Sequence, residues 1–429
     1  MKKQSRWLSV LSLLVAAAML VSACGGGSNA GEGDAATGGN NGGGGEGGTT
    51  ELLFWTPFSG ADGPFMQDIV DKYNASQDKV KVNLVIQPNG EYYKQLDVAL
   101  STESERPDLM IMHVDRIPTY VTNGQLAAVD TLAEAAGINK ADYVEAPVEY
   151  STLEDKWYGI PLDIHPLVMY YNKDLFEQAG ISAPPTNMEE FEAAVTKLTD
   201  ADAGVYGYVV PTLWPQQFIF PTLVWQNGGE LWNGSDVAYN SPEAVEMVTW
   251  MRSLIDRGIS PANVQQDGEN TLFLQGKNAI QFNGPWMKGQ FDEAGINYGI
   301  APMPQLGKAK QAVFAGSHSF VVPAALTDET KLNAVGDFLK YVASNSLDWA
   351  KSGQALASKP MLESEEFKAL PNSSIAESFD YVQFAPNVLN WPTISEPIWG
   401  ELSSALLGEK TPQQALDDAV AKSRQAMNQ

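Results

Sequence analysis

The chain of 429 residues is poor in three kinds of side chain: it has one cysteine, three histidines and 27 lysines and arginines against 52 acidic residues. A single cysteine allows no internal disulfide bond. With only three histidines, a zinc site of the usual make-up is not expected, and we expect no metal and no cofactor. The formal charge of −25 repels nucleic acid and anionic lipid, which excludes nucleic acid as a partner.

Long apolar runs are also scarce, and the one at the N-terminus, from Trp7 to Val21, contains two serines. It is shorter than the roughly 20 apolar residues that a transmembrane helix needs. Three basic residues among the first six precede it, and the small residues Ser22 and Ala23 follow it. This pattern predicts a secretory signal peptide over residues 1–23.

The only cysteine, Cys24, comes directly after this segment. The string LVSAC, residues 20–24, resembles the lipobox of bacterial lipoproteins, and the resemblance implies that Cys24 becomes lipidated. The alternative is an unmodified thiol in a linker. Residues 24–50 contain no apolar side chain larger than alanine apart from the cysteine, which predicts a flexible tether. We therefore expect a protein held by its lipid on the extracellular face of the cell membrane.

Beyond the tether, short apolar segments alternate with helical segments that carry start signals, which favours an α/β fold with mainly parallel sheets. About 380 residues are too many for one compact core, so two lobes are expected. Thr186 with Glu189, Ser241 with Pro242, and Thr411 with Pro412 mark helix starts. The predicted strands are Glu51–Trp55, Val80–Ile86, Asp108–His113, Leu167–Asn172, Val205–Val210, Ala279–Phe282 and Phe320–Pro323.

Ligands of such folds bind outside the carboxyl ends of strands and between lobes. The loops at these positions join aromatic rings or short polar groups to glycine or proline. Because a carbohydrate presents apolar C–H faces and hydroxyl rims, this mixture of side chains suits a sugar. The loops are 55–60, 113–116, 159–165, 214–218, 283–286 and 315–318.

Four segments together resemble the extracellular solute-binding proteins of ABC importers, the family that includes maltose-binding protein. They are RPDLMIMHVDRIPTYVTNGQLAAVD (106–130), WYGIPLDIHPLVMYYNKDLFEQAG (157–180), PPTNMEEFEAAVTKL (184–198) and GKNAIQFNGPW (276–286). The resemblance implies two α/β lobes of the type II periplasmic-binding-protein fold, joined by chain crossings near Pro161 to His165 and near Phe314 to His318. It implies an N-terminal lobe of residues 51–162 plus 316–359 and a C-terminal lobe of 165–314 plus 360–429.

The function that the resemblance implies is capture of a sugar or oligosaccharide by lobe closure and its delivery to the transmembrane subunits of an ABC permease. We expect a monomer that performs no chemistry. A secreted glycoside hydrolase, with two carboxylates as its catalytic groups, and a sugar-sensing lipoprotein are the alternatives.

The resemblance also implies roles for particular residues. Asp115 and Arg116 match a pair that hydrogen-bonds sugar hydroxyls, and Asp163 stands where the family has a hinge-side glutamate. Trp286 falls on a tryptophan that stacks on a sugar ring, and Phe218 lies near a tyrosine with the same role. Ser59 and Gly60 replace a charged pair in the first loop. The full set expected at the ligand is Trp55, Ser59, Tyr93, Asp115, Arg116, Asp163, His165, Trp214, Gln217, Phe218, Trp286, His318 and Trp391.

Structural roles remain open for several of these residues. Trp286 could be a core tryptophan, Asp163 could hold a backbone turn, and Arg116 could be a solvated surface base. His165 and His318 lie beside the crossings and could be structural histidines. Either Trp391 or Trp399 could place its ring in the cleft.

Overall fold

The computed structural model describes residues 48–102 and 106–428. The expected signal peptide, Cys24 and most of the tether lie outside the described residues. Within the described part of the chain, no helix combines the length and the apolar character needed to cross a membrane.

The strands fall close to the predicted segments, and several short strands at the crossings add to them. In chain order they are β1 Thr50–Thr56, β2 Val80–Ile86, β3 Leu109–His113, β4 Thr152–Leu153, β5 Lys156–Trp157, β6 Ile160–Pro161, β7 Asp163–Pro166, β8 Val168–Asn172, β9 Tyr206–Tyr208, β10 Asn278–Asn283, β11 Tyr298–Pro302, β12 Val313–Gly316, β13 His318–Val321, β14 Ala355–Leu356 and β15 Val382–Gln383.

Helices fill the segments between the strands, together with 3₁₀ turns at Lys140–Asp142 and Ser373–Tyr381. In chain order the helices are α1 Gly63–Ser76, α2 Asn89–Ser101, α3 Ile117–Thr122, α4 Asp130–Ala136, α5 Glu145–Tyr150, α6 Lys173–Gln178, α7 Met188–Leu198, α8 Gln216–Gln226, α9 Pro242–Asp256, α10 Gly268–Leu274, α11 Met287–Glu293, α12 Glu329–Asn345, α13 Leu347–Ala350, α14 Lys359–Leu362, α15 Glu365–Lys368, α16 Trp391–Leu406 and α17 Pro412–Met427.

The structure has helices at all three predicted starts, and the N-cap residue of one of them, α7, lies one residue later than predicted. Ser241 caps α9 and Thr411 caps α17 by accepting backbone N–H groups, and each helix has proline in its first turn. Thr411 and Gln414 form a reciprocal capping box. At α7 the cap is Asn187 rather than Thr186, because the Thr186 backbone N–H is bound instead by the side chain of Glu190.

Two main sheets carry the fold. The first has the order β2-β1-β3-β13-β6, and the second has the order β11-β8-β10-β9. A third sheet, β14-β7-β12-β15, contains the strands through which the chain passes between the other two; we call it the hinge sheet. The chain passes from β6 through β7 to β8, and it returns from β11 through β12 to β13.

Strand directions are more mixed than the sequence predicts. β1 is parallel to β2 and β3, whereas β13 is antiparallel to β3 and β6. In the second sheet β8 is antiparallel to both neighbours and only β9 and β10 run parallel. The expectation of a mainly parallel sheet is therefore wrong for this second sheet. β13 and β8 each follow a crossing directly, so the chain enters both sheets from the hinge side, and each of these strands is antiparallel to its neighbours.

Two hydrophobic cores accompany the two main sheets. The first packs Phe54 of β1 against Phe320 of β13 and Phe338 of α12, with ring centroids 5.8 and 5.7 Å apart. The second packs Phe191 of α7 against Phe282 of β10 at 5.5 Å. In α8 all residues except Gln217 are buried. This helix is thus enclosed in the second core, and Gln217 is its one partly buried residue.

A buried acid in α10 gives a test of the packing near this second sheet. Glu269 is 1% exposed, and neither of its side-chain oxygens hydrogen-bonds another described residue. Burial raises the pKa of Glu269 to about 7. The folded protein therefore binds more protons than the unfolded chain between pH 4.5 and 7, and the stability linked to this group is present below pH 4.5 and lost as the pH rises through 7.

We expect Glu269→Gln to raise the free energy of unfolding by about 2.5 kcal/mol more at pH 8 than at pH 5, because the neutral amide removes the cost of burying a charge. Urea unfolding at both pH values measures the difference. Glu293→Gln, at an exposed position on α11, is the control and should leave the difference unchanged. An equal effect of Glu269→Gln at both pH values would contradict the prediction.

Candidate functional site

The functional site is built where the two crossings meet the carboxyl end of β3. His113 is the last residue of β3 and lies opposite His318, the first residue of β13. His165 of β7 lies opposite Gly316 of β12. An added Cβ at Gly316 would lie 2.2 Å from His165 Nε2, so the imidazole occupies the space that a side chain there would need. The strand pairing alone therefore brings together all three histidines of the sequence.

Beneath the histidines lies Asp163, whose side chain is fully buried. Its Oδ1 accepts hydrogen bonds from His165 Nδ1 at 3.0 Å and from the His318 backbone N–H at 3.0 Å. Its Oδ2 accepts from His318 Nδ1 and from Trp349 Nε1, each at 2.8 Å. Burial by itself raises the pKa of Asp163, but His318 and the hydrogen bonds from both histidines outweigh it and hold the pKa below its ordinary value. The carboxylate is thus saturated by protein donors.

The three imidazole rings pack on one another. The His165 and His318 centroids are 4.4 Å apart and the His113 and His318 centroids 4.6 Å. Burial lowers the pKa of both His113 and His165, so these two rings are neutral at pH 7. Tyr93 Oη lies 2.6 Å from His113 Nδ1 and accepts the His113 backbone N–H at 3.0 Å.

A cavity of about 450 Å³ opens above His113 and His165. Residues of both hydrophobic cores surround it, which places it between the two lobes. Its lining combines aromatic rings with a few charged and polar groups, the composition of a small-molecule site. The lining includes Tyr93, Asp115, Arg116, Trp214, Gln217, Phe218, Trp391, Glu396 and Trp399.

One side of the cavity is aromatic. Trp214 and Phe218 line it, with their ring centroids 5.5 Å apart. Trp286 supports them from beside the cavity, 6.1 Å from Trp214 and 5.4 Å from Phe218, and its ring also meets the edge of His165 at 5.7 Å. We call Trp214, Phe218 and Trp286 the aromatic wall. It presents flat apolar surface in an orientation that its own edge-to-face contacts hold in place.

The opposite side of the cavity is polar. The Arg116 guanidinium lies over the Tyr93 ring, 4.5 Å from its centroid, so its orientation is fixed by a cation–π contact. Burial raises the pKa of Asp115, and the neighbouring Arg116 partly opposes this shift. Across the cavity, the Gln217 side-chain oxygen is buried and lacks a hydrogen-bond partner among the described residues. These groups can donate and accept hydrogen bonds to a polar ligand.

The structure places the predicted ligand residues at different depths. Those that line the cavity are Tyr93, Asp115, Arg116, His165, Trp214, Gln217, Phe218 and Trp391. Asp163 and His318 lie beneath it, Trp286 lies beside it, and Trp55 is buried in β1 away from the lining. Ser59 is exposed and does not line this cavity. Asp163 has the structural role that the sequence left open for it: it accepts the His318 backbone N–H and so holds the second crossing in place.

The sequence-based prediction included only Trp391 from the C-terminal part of the chain. Trp391 and Trp399 both line the cavity, together with Glu396 between them. The two tryptophans are eight residues apart, about two helical turns, so they share one face of α16. This spacing could have indicated both rings rather than one. His113 also lines the cavity, although its position at the end of β3 was the only sequence signal for it.

The fold and the cavity together are those of a ligand receptor with the type II periplasmic-binding-protein fold. The GacH receptor of Streptomyces glaucescens, solved unliganded and in complex with acarbose, has a similar fold, with a TM-score of 0.78 and 24% identity. The match covers 89% of this chain and 99% of the receptor.

The chain belongs to the bacterial extracellular solute-binding protein family, whose model matches residues 58–347. It is 27% identical over 387 residues to the galactooligosaccharide-binding protein of Bacillus subtilis, covering 86% of this chain and 88% of that protein. It is 26% identical to a maltooligosaccharide ABC transporter solute-binding lipoprotein of Streptococcus pneumoniae, covering 75% and 77%. The family and these relatives are binding proteins rather than enzymes.

Proposed function

We propose that this protein captures a sugar or oligosaccharide outside the cytoplasm and delivers it to the transmembrane subunits of an ABC permease. The observation that carries the proposal is the cavity between the lobes, where the aromatic wall and the neighbouring Gln217 lie across from Arg116 and Asp115. Two relatives are named as proteins that bind galactooligosaccharide and maltooligosaccharide, which agrees with this assignment.

The chemistry of the cavity favours a neutral polyol ring. The rings of Trp214 and Phe218 can cover the apolar C–H face of a pyranose, while carboxylate, guanidinium and amide groups meet its hydroxyl rim. The volume of about 450 Å³ falls in the range of ligand pockets, roughly 300 to 1,000 Å³. A ligand that touches both lobes favours the closed form through contacts that only this form completes. The protein acts as a monomer with no catalytic step.

A screen of mono- and oligosaccharides by thermal shift tests the proposal, with each sugar analysed by chromatography afterwards. We expect at least one sugar to raise the melting temperature and to be recovered unaltered, since binding to the folded state alone stabilises it. New sugar products would instead indicate the glycoside hydrolase. The absence of any shift across galacto-, malto- and mannooligosaccharides would remove the sugar assignment.

The proposal includes a lipid anchor at Cys24, which holds the protein on the outer surface of the membrane. We expect Cys24→Ser to release the protein from washed membranes into the soluble fraction without a change in its melting temperature, because two or three acyl chains supply the membrane affinity. Immunoblots of the fractions measure the partition. Ser28→Ala in the same tether is the control and should remain in the pellet. Retention of the Cys24→Ser protein in the pellet would contradict the anchor.

A further inference from the structure

The histidine cluster, His113, His165 and His318, has an arrangement that sugar binding does not require. One ring nitrogen from each residue can be chosen so that all three lie within 4.8 Å of one another. His165 and His318 are buried, and His113 is partly buried. We propose that this cluster binds one divalent transition-metal ion, with Zn²⁺ as the representative ion, at the base of the cavity.

The distances are close to those of a metal site. Three imidazole nitrogens at about 2.1 Å from a tetrahedral zinc ion lie about 3.4 Å from one another. The nitrogens of the cluster need to approach one another by at most about 1.4 Å from the 4.8 Å limit. Rotation of the three side chains has to supply this approach, while the strands that hold them stay hydrogen-bonded to one another.

Hydrogen bonds at the far side of each ring orient the cluster. The Asp163 carboxylate accepts from Nδ1 of both His165 and His318, so Nε2 is the nitrogen of each ring that remains to bind a metal. The His165 Nε2 lies against Gly316, so this ring has to turn away from the glycine when the metal binds. A histidine that donates to a carboxylate while its other nitrogen binds metal is the usual outer-shell arrangement of zinc sites. His113 Nδ1 is likewise held, by Tyr93 Oη at 2.6 Å. The phenol oxygen can accept as well as donate, so His113 can present Nε2 in the tautomer that binds metal.

The ligand set indicates the class of metal. Imidazole nitrogens suit zinc, copper, nickel and iron, whereas calcium and magnesium prefer oxygen ligands. The single negative charge of Asp163 offsets part of the ion's charge in a buried setting. Three protein ligands leave one coordination position open. Because His113 and His165 line the cavity, that position lies next to the space where a ligand hydroxyl or a water molecule can reach it.

The test uses the full-length protein, purified with a tag that contains no histidine and stripped of metal with a chelator. It is titrated with Zn²⁺ by calorimetry, once in buffer alone and once with roughly 5 mM Mg²⁺, a concentration at which exposed carboxylates would bind Mg²⁺. We expect one zinc ion per chain and no competition by Mg²⁺. We expect His165→Gln and His318→Gln each to weaken zinc binding by about a hundredfold or more, and Asp163→Asn to weaken it by about 10- to 100-fold. Asp256→Asn, an exposed acid on α9, is the control.

Zinc affinity that is unchanged in a folded His165→Gln protein overturns the proposal, as does zinc binding that Mg²⁺ abolishes. If the histidine variants do not fold, X-ray absorption of the zinc-loaded wild-type protein decides the question. Three imidazole ligands support the site, and an oxygen-only shell excludes it. Sugar binding is measured separately on the stripped protein, so failure of the metal site and failure of the sugar assignment give different results.

Discussion

Replacement of Asp163 by alanine is expected to lower the free energy of unfolding of the ligand-free protein by about 3 to 5 kcal/mol. The carboxylate is fully buried and accepts hydrogen bonds from His165, His318 and Trp349, which belong to three different elements. Its removal leaves three buried donors without their partner. Chemical denaturation with guanidinium measures the loss.

The control for this variant is Asp348→Ala. Asp348 forms ion pairs with Lys72 and Lys351 near the surface, and such pairs contribute about 0 to 1 kcal/mol. Asp163→Asn retains one oxygen, and His318 can change its tautomer to face the new amide group, so its cost should fall between the two alanine variants. An Asp163→Ala protein within 1 kcal/mol of the Asp348→Ala protein, which is about the scatter of a surface ion pair, would show that the network does not hold the crossings together.

The main strands could be predicted from the sequence because their apolar runs are continuous. Leu109, Met110, Ile111 and Met112 are all fully buried in β3, so the apolar run of the sequence corresponds directly to the strand. The hinge strands carry no such signal. β12 holds two glycine or alanine residues among four positions, and β7 holds His165 and Pro166, so only their pairing with distant strands makes them extended.

The candidate site was predictable in its composition but not in its layering. Loops after strands indicated which segments would meet, and most of the predicted residues line the cavity. The sequence does not show that Asp163 points away from the cavity into a set of protein donors, because that depends on His318, 155 residues further along the chain. The histidine cluster was missed for the same reason. Strand register brings its members together, and no spacing in the sequence indicates that they meet.

Replacement of Trp214 by alanine is expected to weaken binding of the cognate sugar by about 2 to 4 kcal/mol, or roughly thirtyfold to a thousandfold. The Trp214 ring lines the cavity and is held in place by Phe218 and Trp286. Its loss removes a platform from a site that the ligand desolvates. Because Trp214 is only partly buried and one side of it faces the cavity, the melting temperature of the ligand-free protein should fall less than in the Trp250→Ala protein. Calorimetric titration with the sugar found in the thermal-shift screen measures the affinity.

Trp250→Ala is the matched control. Trp250 is also partly buried, but it packs against Phe191 at 5.9 Å and donates to Glu192 at 2.7 Å, and it does not line the cavity. It should reduce stability while leaving sugar affinity unchanged. Trp286→Ala separates direct stacking from support, since a ring that touches the sugar gives a loss as large as that of Trp214→Ala, whereas a supporting ring gives a smaller one. Equal affinities for the Trp214→Ala and Trp250→Ala proteins would exclude the aromatic wall as the sugar platform.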